Sequence, residues 1–67
     1  MTNRVRVSIA VFEGMEAVRR SGITNMFDRK LAAKVADAMG CPDAADWIRA
    51  NRDLYFTALF RGFEANQ

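Results

Sequence analysis

The stretch V-R-V-S-I-A-V, Val5 to Val11, fits two secondary structures, and the one it takes decides the fold. With period two, Val5, Val7, Ile9 and Val11 alternate like a half-buried strand. With helical spacing, Val7, Val11, Met15 and Val18 form one stripe, and Val5, Ile9 and Phe12 a second beside it. A lone strand needs a partner, and no other stretch of the chain reads as one. A strand here would have to pair with its copy in a second chain. The expectation is therefore a helix from about Val5 to Arg20, with an extended N-terminal segment as the open alternative over residues 1–10. Gly14 weakens the middle of that helix by up to about 1 kcal/mol relative to alanine. Arg19 and Arg20 oppose the negative helix end, and Gly22 is a left-handed stop.

Outward from this segment lies S-G-I-T-N-M-F-D, Ser21 to Asp28. Asn25 is a strong N-cap type with Asp28 three residues on, a relative of the capping box. That spacing predicts a helix beginning at Met26 and Phe27, with Phe27, Leu31, Val35, Ala38 and Met39 as its buried stripe. Gly40 ends it, and Pro42 opens a short third helix with Asp43 near its positive end. Ala44, Trp47 and Ile48 supply the apolar face of that helix. Asn51 or Asp53 caps a fourth, from about Asp53 to Arg61, with Gly62 as terminator and Glu64 to Gln67 fraying. The fold class expected is all-α, a bundle of three to four short helices, as a single small domain over residues 1–67.

Length and composition narrow the function. A chain of 67 residues buries only about 60% of its unfolded surface, so each large apolar side chain matters. With 51% hydrophobic and 27% charged residues it has a globular composition. No apolar run approaches the roughly 20 residues of a membrane span, and no signal peptide is expected. The chain has no histidine and one cysteine, Cys41, which removes histidine-based triads, disulfides and thiolate zinc sites. The glycines are too scattered to cradle a phosphate. Asp43 and Asp46 stand at i,i+3 spacing, but acids are expected in a helix's first turn. No enzyme, cofactor or metal is expected.

The ten basic residues lie mostly in the first half, where Arg4, Arg6, Arg19, Arg20, Arg29, Lys30 and Lys34 face Glu13, Glu16 and Asp28. Arg4, Arg6, Arg20, Lys30 and Lys34 are the candidates for a nucleic-acid contact. Lys30 and Lys34 are assigned to the face opposite Phe27 and Leu31, and Lys34 also reaches Asp37 at i+3. The segment V-A-D-A-M-G, Val35 to Gly40, looks like the first helix and turn of a phage-repressor helix-turn-helix. The second helix then departs from that pattern. Asp46 and Arg49 stand six and nine residues after the turn glycine, where apolar residues belong, and the would-be recognition helix opens with acids. Trp47, Tyr55, Phe56, Phe60 and Phe63 cannot all point inward from two short helices. The surplus makes Trp47, Arg52, Tyr55, Phe56, Arg61 and Phe63 the candidate protein interface, which a homodimer would also bury.

Three stretches together carry a family likeness. These are V-R-R-S-G-I-T-N-M-F-D (Val18–Asp28), V-A-D-A-M-G (Val35–Gly40) and W-I-R-A-N-R-D-L-Y-F-T-A-L-F-R-G (Trp47–Gly62). From about Val11 onward the chain resembles a small family of bacteriophage and prophage proteins with no assigned activity, whose mark is the S-G-x-T-N-M-F-D corner. The residues before Val11 depart from that pattern. The resemblance implies a mobile-element origin and a life in the cytoplasm of a bacterial host. Proteins of this sort commonly block a host or phage protein, as inhibitors of host defence of the anti-CRISPR kind do, or control transcription. The function expected is therefore non-catalytic binding of a protein partner, with a small DNA-binding regulator as the alternative.

Overall fold

A computed structural model describes residues 4–66, which run in the order β1 (Val5–Ser8), α1 (Ile9–Ser21), α2 (Arg29–Ala38), α3 (Pro42–Ala50), α4 (Arg52–Arg61) and β2 (Phe63–Asn66). Four helices dominate the described residues, but the fold is not purely all-α. The two terminal strands pair in parallel, Val5 with Phe63, Arg6 with Glu64 and Val7 with Ala65. The Val5 N–H donates to the Gly62 carbonyl at 2.9 Å. The expected fraying of the C-terminus is thus corrected for Glu64–Asn66, which are strand. Residues 1–3 of the doubtful N-terminal segment and Gln67 lie outside the described residues.

Both periods of the opening stretch are used, one after the other. Val5 and Val7 turn inward from β1 while Arg6 and Ser8 face out. Ser8 then caps a helix, its Oγ accepting from the Val11 N–H at 3.2 Å. From there the burial pattern becomes helical through Val11, Gly14, Met15 and Val18. The expected helix over Val5–Arg20 therefore begins four residues late. The partner strand it lacked is supplied by the other end of the same chain. Gly62 makes this possible: at φ 95° and ψ 163° it occupies a region open essentially to glycine alone, and it turns the chain out of α4 into β2.

α2 and α3 make the most extensive helix contact, joined through a Schellman turn. The Cys41 N–H reaches the Ala36 carbonyl at 2.8 Å and the Gly40 N–H the Asp37 carbonyl at 3.1 Å. Pro42 sits in the first turn of α3 as expected. The faces turned inward are alanine-rich: Ala32, Ala33 and Ala36 from α2, and Ala44 and Ala45 with Ile48 from α3. The stripe expected to be core is corrected. Of Phe27, Leu31, Val35, Ala38 and Met39, only Val35 is buried. Side chains this small let helix backbones approach closely. At Gly14 in α1, a Cβ would lie 2.5 Å from the Ala44 Cβ and 3.1 Å from the Cys41 Cβ.

Gly14→Ala therefore gains up to about 1 kcal/mol of helix propensity but drives a methyl into the α1–α3 contact. The expected net result is a loss of about 1–3 kcal/mol in urea denaturation, typical of overpacking. Pairing it with Ala44→Gly should restore part of that loss.

Candidate functional site

The corner between α1 and α2 is built by local hydrogen bonds. Gly22 ends α1 in the left-handed conformation, and the Ser21 Oγ donates to the Val18 carbonyl at 2.6 Å. Asn25 then folds back on its own chain. Its Oδ1 accepts from the Phe27 N–H and its carbonyl from the Asp28 N–H, both at 2.9 Å. This Asx-type turn occupies residues 25–28, so the helix start expected at Asn25 is corrected. The N-cap is Asp28, whose Oδ1 accepts from the Leu31 N–H at 3.1 Å.

A second element fixes the corner from outside. Tyr55 of α4 is fully buried, and its hydroxyl donates to the Met26 carbonyl. Burial, aided by the nearby Asp28 carboxylate and opposed by Arg29, pushes the Tyr55 phenol up to about 12. Arg29 itself bridges to α3, its Nη1 donating to the Ile48 carbonyl at 3.1 Å near that helix's negative end.

Held this way, Phe27 lies outside the core. It is 58% exposed and meets Phe60 of α4 edge to face, ring centroids 5.9 Å apart at 60°. Phe60 is 79% exposed. One helical turn earlier, Phe56 is half-buried with its ring on Tyr55 at 5.5 Å. Beside this pair runs an open groove of about 440 Å³ lined by Phe27, Asp28, Arg29, Lys30, Arg52 and Phe56. Leu31, 42% exposed, continues the apolar surface along α2. Lys30 and Lys34 share this exposed side with Phe27 and Leu31, and do not lie opposite them as expected from the sequence. Asp37, expected to meet Lys34, instead binds Arg49 of α3 at 2.6 Å.

The remaining candidates scatter. Trp47 and Phe63 are half-buried and pack on each other edge to face at 5.6 Å, joining α3 to β2. Tyr55 belongs to the interior, while Arg52 and Arg61 are exposed. Of the basic candidates, Arg6 is paired with Glu64 at 3.0 Å, Arg4 lies along Gly62, and Arg20 ends α1 beside a hollow that also holds Glu13 and Glu16. Asp43 and Asp46 are exposed on α3. Phe60 was missed as a surface residue. The available signal was spacing: with Tyr55 and Ala58 facing the core, Phe56 and Phe60 fall on the outer side of α4.

Among the described residues no group of three or more histidine, cysteine, aspartate or glutamate side chains could hold a metal, and no helix is long and apolar enough to cross a membrane. No protein-family model matches the chain, and neither a curated protein nor a solved structure matches it.

The chain has one tyrosine, so its alkaline titration reports Tyr55 alone. Folding raises this group's pKa above the unfolded value near 10, so its stabilising effect is complete below that pH and lost as pH rises through about 12. The tyrosinate absorbance of the folded protein should appear near pH 12, and in denaturant near pH 10. Tyr55→Phe should cost about 0.5–1.5 kcal/mol at neutral pH in urea melts, for one lost hydrogen bond.

Proposed function

We propose that this protein is a non-catalytic binding protein that occupies a surface on a protein partner through the phenylalanine face at the α1–α2 corner. The observation that carries this reading is the Phe27–Phe60 pair, two rings in mutual contact and both largely in solvent. Burying a phenylalanine side chain is worth about 1.5–3 kcal/mol, a large sum for a chain this small. A partner that covers both rings recovers what the free protein forgoes. Phe56 and Arg52, both among the interface residues expected from the sequence, border the same face. Aromatic and arginine side chains together are the usual composition of binding hot spots.

The mechanism is steric occlusion with one chain per partner. The resemblance of the corner and last helix to phage and prophage proteins supports a setting in the bacterial host cytoplasm. It also supports a role in blocking a host or phage protein, inhibition of host defence being one such role. The nucleic-acid reading has less support. The exposed carboxylates of Asp43 and Asp46 sit at the beginning of α3, the end a recognition helix would present to phosphates. Arg6, one of its candidate contacts, is already neutralised by Glu64.

A tagged chain should retain one protein from a lysate of its bacterial host in near-equal amount. The double variant Phe27→Ser/Phe60→Ser should lose that protein while its own unfolding free energy changes by only about 0.5 kcal/mol, as for other exposed positions. Retention of the same partner by the double variant would refute the phenylalanine face as the binding surface.

A further inference from the structure

We infer that the outer edge of β2 takes an extended peptide segment of a partner as a third strand, with one apolar side chain of that segment seated in the hollow where β2 begins. This hollow shares no lining residue with the groove beside Phe27, and the inference does not rest on the phenylalanine face. The phase of the ladder fixes which backbone groups face outward. In a parallel pair, alternate residues of each strand bond inward. The Val5 N–H donates to the Gly62 carbonyl at 2.9 Å, and Val5 stands in register with Phe63. Val5, Val7 and Glu64 therefore turn their N–H and C=O groups into the ladder, whereas Phe63 and Ala65 turn theirs away from it. Among the described residues nothing bonds the N–H or C=O of Phe63 or Ala65. Both residues are partly exposed. The opposite edge is shorter, because after Arg6 the chain turns at Ser8 into α1.

The edge itself dictates its occupant. Donors and acceptors that alternate at strand spacing are answered by another extended backbone. β2 carries neither proline nor lysine to guard it, and its one charge, Glu64, is answered by Arg6 at 3.0 Å. The hollow supplies the side-chain half of the site. Gly62 and Phe63 line it with Met15 of α1, Met26 of the corner, and Ala58 and Leu59 of α4. About 170 Å³ is open there. Roughly 150 Å³ suffices for a benzene-sized group. The bordering Glu16 and Arg19 already pair at 2.7 Å, so the occupant is apolar rather than ionic. In an antiparallel segment, the more stable arrangement, residues two apart bond Ala65 and Phe63 in turn. The side chain opposite Phe63 is the one beside the hollow. A second copy of β2 is a poor occupant. Pairing Phe63 with Ala65 across a two-fold axis sets the two Glu64 side chains directly opposite each other, a destabilising arrangement.

The test is an NMR titration of the isotope-labelled protein with the acetylated and amidated pentapeptide Thr-Val-Thr-Leu-Thr, which sets valine opposite Ala65 and leucine opposite Phe63. The amide protons of Phe63 and Ala65 should move downfield and exchange more slowly with solvent, and that of Glu64, already bonded, should move less. Methylating the valine or leucine nitrogen of the probe should weaken binding about fivefold or more, for one lost hydrogen bond. Methylating its middle threonine nitrogen, which faces away from β2, should not. Alanine in place of leucine should cost about tenfold or more. These arms use the unaltered protein, so lost binding does not report lost folding. Ala65→Pro removes an edge donor but no ladder bond, a change an edge strand tolerates, and should weaken the probe about fivefold or more. Phe27→Ser/Phe60→Ser should bind the probe as the unsubstituted chain does. Loss of binding in that variant would place the peptide on the phenylalanine face and overturn the inference. No shift at millimolar probe, or equal binding of all the methylated probes, would also overturn it. A dimer in sedimentation that Ala65→Pro dissolves would overturn it in favour of self-pairing.

Discussion

The corner and everything attached to it depend on one buried hydroxyl. Tyr55 is fully enclosed, and a buried donor left without an acceptor costs about 1–3 kcal/mol. Its acceptor is the Met26 carbonyl, taken from a residue that helical spacing assigns to α2. With that carbonyl directed to α4 and the Asn25 side chain holding the Phe27 N–H, residues 25–28 form a turn and the helix begins at Arg29. Phe27 is thereby carried out of the helix and against α4. There its neighbour is Phe60, itself on the outer side. The same bond that closes the interior sets the two rings on the surface.

The parts of the fold legible in the sequence are those written in local chemistry. The Gly40 turn, Pro42 at the head of α3, the Gly62 stop and the inward face of Ala44 and Ile48 all follow from residue type and spacing. The parallel strand pair was not legible. Its hydrogen bonds are made by backbone, and its two strands stand at opposite ends of the chain. Four residues, F-E-A-N, are too few to show a period. The ambiguity at Val5–Val11 was itself informative, since the chain uses strand periodicity up to Ser8 and helical periodicity after it. At α2 the larger apolar residues drew the reading to the wrong face, because hydrophobic spacing weighs phenylalanine and leucine above alanine. Arg52 and Phe56, named from composition, lie beside the exposed Phe27, whereas the exposure of Phe60 was not read. Deciding which aromatic faces out requires knowing that Tyr55 faces in.

Alanine packing explains why so small a chain leaves so much apolar surface. Helices that meet through alanine and glycine come close together, as the Gly14–Ala44 approach shows. A closely packed interior of small side chains has little room for large ones. Val18, Ile48 and Tyr55 are the largest side chains fully enclosed. The phenylalanines must go elsewhere. Two of them, Phe56 and Phe63, are half-buried at the margins of the core, each against another aromatic ring. Phe27 and Phe60 pack on each other and lie largely in solvent.

For the proposed binding role, that residual pair is ordered in advance. Association loses affinity to the ordering of side chains and loops at the contact, at about 0.5–1.5 kcal/mol for each flexible side chain fixed. Here the loop is held by the Asx turn, the Asp28 cap and the Tyr55 hydroxyl, and Phe27 rests on Phe60 before any partner arrives. A phenylalanine ring also has only two torsions to fix, which keeps its ordering cost low for the area it covers. Lys30 and Arg52, both exposed, line the hollow beside the pair, and under the proposed role their charge would steer encounter more than add affinity. Held rings at the centre and exposed cations beside them would divide recognition between contact and selection, the division that the proposed binding role calls for.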